Sequence, residues 1–163
     1  MTSTVRLQIN LGLALFMLAA TTICADEVSP LPKRFSAHIG GFLGASYGVE
    51  LKDGILSYTK SSRGGSAREQ KTITATPAQW REFRQSLDEL KVWQWRADYP
   101  THGVVDGTQW ALDIDYSDHT LHARGSNNYP DDTGKPNGSP EQTKTFRRYL
   151  AAVQRLIGAE KFE

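Results

Sequence analysis

The stretch Tyr47-Gly48-Val49-Glu50-Leu51-Lys52-Asp53-Gly54-Ile55-Leu56-Ser57-Tyr58 decides the fold. Asp-Gly between two alternating apolar runs is a strong hairpin signal, because both central positions of a type I′ turn need positive φ. A two-residue turn at Asp53-Gly54 pairs Lys52 with Ile55, Leu51 with Leu56 and Val49 with Tyr58. That register puts Tyr47, Val49, Leu51, Leu56 and Tyr58 on one face, as a half-buried antiparallel pair requires. Upstream, Phe35, Ala37 and Ile39 alternate with Ser36 and His38, and Gly40-Gly41 ends or bulges that strand. Downstream, Lys60 to Lys71 reads as a loop before a short strand near Thr72-Ile73-Thr74.

A helix follows. Thr76 is an N-cap, Pro77 takes the first helical position and Gln79 completes a capping box. Trp80, Phe83, Leu87 and Leu90 recur at helical spacing, and the helix is expected to end near Lys91. The second half repeats the plan. Trp110, Leu112, Ile114 and Tyr116 alternate, a turn falls near Asp118-His119, and Leu121 and Ala123 return on the same face. Asp131 to Gly138, rich in Pro, Gly and Asn, reads as a surface loop. Ser139-Pro140 with Gln142 predicts the start of a second helix whose stripe is Phe146, Leu150, Val153 and Ile157, with Gly158 as terminator. The expected class is α+β: an antiparallel sheet built from two hairpins plus extra strands, with two helices packed on one face.

Working outward to the ends, residues 1–25 read as a signal peptide, 26–34 as an extended lead-in, 35–158 as one domain and 159–163 as a C-terminal tail. Arg6 precedes an apolar run from Leu11 to Ala20 that covers only about 15 Å as a helix, half of a ~30 Å bilayer core. No transmembrane segment is expected after its removal. Cleavage after Ala25 gives a periplasmic or secreted protein. The alternative is a lipid anchor on Cys24, although Ala20-Thr21-Thr22-Ile23 lacks the leucine and the small residue that a lipobox carries. Cys24 is the sole cysteine of the 163 residues, so residues 26–163 hold no disulfide, thiolate nucleophile or cysteine-ligated zinc. Nineteen basic groups against eighteen acidic ones disfavour a nucleic-acid partner, and no cofactor motif is read.

Asp113, Asp115, Asp118, His119 and His122 lie within ten residues, a composition able to bind metal or move protons. With a turn at Asp118-His119, Asp115 faces His122 and Asp113 faces Arg124 on the outward side, the ordinary decoration of an exposed hairpin. Gly40-Gly41 with Gly44, and Gly103 to Gly107, precede no Gly-Lys-Ser/Thr helix start, so no P-loop is present. Ser36 with His38, or Ser126 with His122, lacks a nucleophile elbow. Two segments stand out as a polar-aromatic recognition surface. Asp106, Thr108 and Trp110 enter the second hairpin, and Ser126, Asn127 and Tyr129 leave it at the same end; loops held on a rigid sheet often carry binding.

These segments, with residues 47–58 and the Thr76-Pro77-Ala78-Gln79-Trp80 helix start, resemble a family of exported bacterial domains of unknown function. Such domains carry an Asp-Gly-Thr-x-Trp strand, here Asp106 to Trp110, and a Gly-Ser-Asn-x-Tyr-Pro exit, here Gly125 to Pro130. The resemblance covers about residues 35–157 and departs at the longer loop Asp131–Gly138. It implies an α+β envelope or secreted domain and no catalytic residue. The expected function is non-enzymatic binding, with an envelope or extracellular protein as partner. Two alternatives stand beside it: a periplasmic hydrolase or metal-dependent enzyme using Asp113, Asp115, His119 and His122, or an inhibitor presenting Asp131–Gly138 to an extracellular enzyme.

Overall fold

The computed structural model describes residues 29–41, 44–63, 67–101 and 107–163. The expected signal segment with Cys24, the Gly64-Gly65 pair, Asp106 and most of the Gly103–Gly107 stretch lie outside the described residues. Seven strands form one sheet: β1 (Arg34–Gly40), β2 (Ser46–Lys52), β3 (Ile55–Ser61), β4 (Arg68–Ile73), β5 (Asp98–Tyr99), β6 (Gln109–Asp115) and β7 (Thr120–Ser126). Their order is β4-β3-β2-β1-β6-β7-β5. Every pairing is antiparallel except β5 with β7. Helices α1 (Pro77–Glu89) and α2 (Lys144–Ile157) complete the expected α+β architecture.

The first hairpin has the register its sequence dictates: Val49 pairs with Tyr58, Leu51 with Leu56 and Lys52 with Ile55. Asp53 and Gly54 adopt φ of 50° and 79°, the left-handed values a type I′ turn demands. The capping box of α1 is also formed. Thr76 Oγ1 accepts from Gln79 N, and the Gln79 side chain accepts from Thr76 N at 2.8 Å. Both helices lie on one face. Phe35 of β1 meets Trp80 and Phe83 of α1 edge-on, while Trp110 of β6 meets Phe146 of α2 at 4.9 Å between centroids. Ile39 pairs with Trp110 and Phe35 with Ile114, so the inward residues of β1 and β6 share one layer beneath both helices, in one continuous core.

Four features differ from expectation, each because a tertiary contact chose between local options. The second hairpin pairs Asp113 with His122 and Asp115 with Thr120, and Arg124 lies opposite Ala111. Its turn is Ser117-Asp118, closed by Tyr116 N donating to His119 O at 2.8 Å. A two-residue shift keeps the same side chains inward, so alternation alone fixes register only to within that shift. The segment read as a loop from Lys60 to Lys71 is strand at both ends: β3 runs to Ser61, β4 begins at Arg68, and Ser62 N closes on Ala67 O. As an edge strand exposed along nearly all its length, β4 shows no apolar alternation, and its charges guard the open edge.

Helix α2 begins at Lys144 rather than beside Ser139. Thr143 Oγ1 accepts from Phe146 N at 3.0 Å, whereas Ser139 Oγ accepts from Glu141 N in the preceding loop. Both residues have cap chemistry, but the Thr143 hydroxyl also donates to Pro130 O, which fixes it at the helix mouth. Thr143→Ala is accordingly expected to lower stability by about 1 kcal/mol and Ser139→Ala by less than about 0.5 kcal/mol in urea melts. Finally, residues 159–163 are docked. Phe162 is 1% exposed, its N–H donates to Gln154 Oε1, and Tyr58 Oη donates to Lys161 O at 2.8 Å. Lys71 of β4 grips Glu160 at 2.8 Å.

Candidate functional site

The residues singled out at the mouth of the second hairpin are brought together, but their polar atoms serve the backbone. Trp110 is 2% exposed and donates through Nε1 to Asn128 O at 2.9 Å. Asn127, at φ 43°, donates its N–H to Thr108 O and accepts from Thr108 N at Oδ1, at 3.0 and 2.8 Å. Its side chain thus extends the β6–β7 ladder one rung past Ser126. Ser126 Oγ accepts from Gln109 Nε2 at 2.8 Å. Tyr129 is buried; that burial pushes its phenol upward, opposed by a hydrogen bond with the Thr108 side chain. These residues lock strand ends and pack the core, while Asp106 lies outside the described residues.

Asn128 belongs to the same lock and was not picked out from the sequence. It is 6% exposed, donates through Nδ2 to Pro100 O at 2.9 Å and accepts from Gly138 N at 3.0 Å. A polar residue flanked by Asn127 and Tyr129 was the available signal, since a buried amide must find partners on both of its ends.

The acidic and imidazole cluster lies on the other face of the sheet. His122 Nδ1 is 2.8 Å from Asp113 Oδ1, and its Nε2 is 3.7 Å from Asp115 Oδ1 and 3.5 Å from an Arg34 nitrogen. Arg34 holds Asp115 at 2.6 Å. His119 sits apart, stacked on Trp93 at 4.8 Å and bonded to Asp118. Among the described residues, no three His, Cys, Asp or Glu side chains are placed to hold one metal ion. The serine–histidine pairs are separated as well. Ser126 is four residues from His122 along β7, about 13 Å at strand rise, and Ser36 is two residues from His38, about 7 Å.

Across this open face the pairings form rows. The middle row runs Gln70, Thr59, Gly48, His38, Ala111, Arg124. Because Gly48 and Ala111 flank it, His38 stands between two shallow depressions, one toward β3 and β4 and one toward β5 and β7. The His38 residue is exposed overall, yet desolvation by the neighbouring strands pulls its imidazole below the ordinary histidine range. Most charged residues along the face are paired in place: Arg124 with Asp98 at 2.6 Å, Lys52 with Glu50 at 2.9 Å, and the Arg34–Asp115 and His122–Asp113 contacts.

A separate cavity of about 200 Å³ opens at the end of the sheet where β1 leaves, β2 begins and β6 enters. Gly40, Gly41 and Gly107 line it, as do the apolar Ile39 and Ala45 and the ring of Tyr47. Thr108, Gln142 and Glu163 supply its polar groups. The glycine-rich stretch read only as a turn or bulge therefore shapes a pocket, and the docked C-terminal residues bring Glu163 to it. The chain matches no family model and no curated protein. Among the described residues, no helix is long and apolar enough to cross a membrane.

Proposed function

We propose that the protein is an exported binding domain that performs no chemistry of its own and engages a protein partner through the open face of its sheet. The observation that carries this reading is the one-sided packing: α1 and α2 cover one face, and the other presents a broad polar surface held by fixed ion pairs. Arg34, Lys52, Arg68 and Arg124 balance Glu50, Asp98, Asp113 and Asp115 on that face, and among the described residues no aromatic side chain stands on it. A neutral mosaic without stacking rings suits a polar protein surface and not a nucleic acid, which asks for net positive charge and aromatic platforms. Delivery by residues 1–25, with release after Ala25, fits the resemblance to exported domains. A diacylglycerol adduct on Cys24 in intact-mass measurement would replace release by anchoring.

The test is site-specific photocrosslinking in cells that produce the full chain. A crosslinking residue at Ala111, in the centre of the open face, is expected to give a discrete adduct; one at Ala151, exposed on α2, is expected to give none. Adducts from position 151 alone, or none from 111, defeat the reading. A second reading, inhibition of an extracellular enzyme, is favoured by the rigidity of the 131–138 loop. Asp131 Oδ1 accepts from Thr133 N and Lys135 N at 2.8 and 2.9 Å, and the buried Tyr99 hydroxyl donates to Gly134 O at 2.6 Å. Such preorganisation lowers the ordering cost of binding. Adducts from position 132 on an enzyme, with none from 111, would favour it.

A further inference from the structure

We infer that the free edge of β4 pairs with the same edge of a second copy of this chain, in the antiparallel register that sets Glu69 of each copy against Lys71 of the other. β4 ends the sheet order, and Arg68 to Thr72 are all exposed. The opposite edge is β5, only two residues long, so β4 is the long open edge among the described residues. An edge of this kind is a template on which another strand can add.

The hydrogen bonding of the β3–β4 ladder fixes which groups point outward. Ser62 N donates to Ala67 O at 2.8 Å, which makes these two a hydrogen-bonded pair, and bonded and non-bonded pairs alternate along an antiparallel ladder. Glu69, Lys71 and Ile73 therefore turn their backbone groups to Lys60, Tyr58 and Leu56, while Arg68, Gln70 and Thr72 aim N–H and C=O away from the sheet. A twofold axis between the Gln70 residues of two copies matches these outward groups: Gln70 meets Gln70, and Arg68 meets Thr72. Glu69 and Lys71 then face each other at non-bonded positions, where Cα atoms are about 4.5 Å apart. A slip of two residues sets Glu69 on Glu69 or Lys71 on Lys71, and a slip of one leaves the outward groups unmatched. The charges that guard this edge thus admit one register. They are also held in place, since Lys71 Nζ contacts Glu69 at 2.9 Å and Glu160 at 2.8 Å. The axis stands perpendicular to the sheet, so both open faces look the same way. The inference concerns the edge alone and stands whether or not those faces bind a partner.

Sedimentation equilibrium of the purified protein tests it, with reversible dimers expected at submillimolar concentration. Glu69→Lys and Lys71→Glu each set like charges across the axis and should weaken association about tenfold or more. Mixed in equal amounts, the two variants should associate as tightly as the wild type, because every pair across the axis then joins opposite charges. A role confined to the fold of one copy cannot produce that rescue. Gln70→Pro removes an outward N–H without touching the β3 ladder and should leave the protein monomeric. Amide exchange locates the contact: the N–H groups of Arg68, Gln70 and Thr72 should slow as protein concentration rises, and those of Glu69 and Lys71 should not change. A wild type that stays monomeric at millimolar concentration, single variants or Gln70→Pro that dimerise like the wild type, a mixture that does not associate, or dimers without protection of those three amides would each overturn the inference.

Discussion

Phe146→Ala is expected to lower the unfolding free energy by about 4–5 kcal/mol, near the top of the range for buried aromatic truncations. Phe146 is fully buried, and its ring centroid lies 4.7 Å from Tyr129, 4.9 Å from Trp110 and 5.6 Å from Tyr149. The cost is high because the walls of the resulting cavity cannot collapse. Trp110 is held by its bond to Asn128 O and by Gly125, where a Cβ would come within 2.4 Å of the indole nitrogen. Tyr99, 5.3 Å from Trp110, is pinned by Gly134 O and Arg96 N, and burial pushes its phenol up to about 12. Against a typical total of about 5–15 kcal/mol, this single change consumes a large share of the margin. Phe146→Leu, which keeps most of the volume, should cost roughly 1–2 kcal/mol. Urea melts followed by tryptophan fluorescence decide it, and a loss under about 2 kcal/mol for the alanine variant would mean that α2 is not anchored through this ring.

The contrast between what the first hairpin and α1 revealed and what residues 109–163 revealed has a physical origin. The first hairpin and α1 are specified by rules that act within four residues: positive φ at Asp53-Gly54, a reciprocal cap at Thr76 and Gln79, a stripe at Trp80, Phe83 and Leu87. Nothing distant had to be known. The second hairpin had no Asp-Gly or Asn-Gly turn to fix its register, so only its inward face was legible and the partner of His122 was not. Thr143 and Ser139 were equal as caps until Pro130 O chose between them. The candidate site was harder still. Polar residues in loop-like sequence suggest recognition, yet Asn127 and Asn128 are polar because β6, β7 and residues 128–138 need side-chain amides to finish their hydrogen bonding. The glycines of the end cavity looked like punctuation, and Glu163 looked like a tail. The docking of Phe162 brings Glu163 to the cavity that Gly44 and Thr108 also line, a proximity between positions more than fifty residues apart that no local pattern encodes.

Arg84→Ala is expected to cost about 2–3 kcal/mol, more than an ordinary surface ion pair, because the guanidinium joins three elements at once. It forks onto Asp118 in the β6–β7 turn at 2.9 and 2.7 Å and onto Asp88 at 3.1 and 3.0 Å. It lies over the rings of Tyr116 and Trp93 at 4.5 and 5.0 Å, and Trp93 in turn donates to Asp88 Oδ1 at 2.6 Å. The guanidinium side chain is 16% exposed, so salt screens it weakly, and its removal takes a cation from two carboxylates and from the faces of two rings at once. Arg84→Lys keeps the charge but loses the fork and the stacking, and should recover less than half of the loss. The pH dependence distinguishes this network from packing alone. The hydrogen bonds from Arg84, aided by His119, hold the Asp118 carboxyl well below its usual 3.8. A carboxyl depressed in the folded state adds stability that is fully present above pH 3.8 and is lost as pH falls through the lower folded value. The stability gap between wild type and Arg84→Ala should therefore be constant from about pH 5 to 8 and narrow steadily below pH 4. A gap that stays unchanged at pH 2–3 would assign the effect to the rings under the guanidinium and not to Asp118.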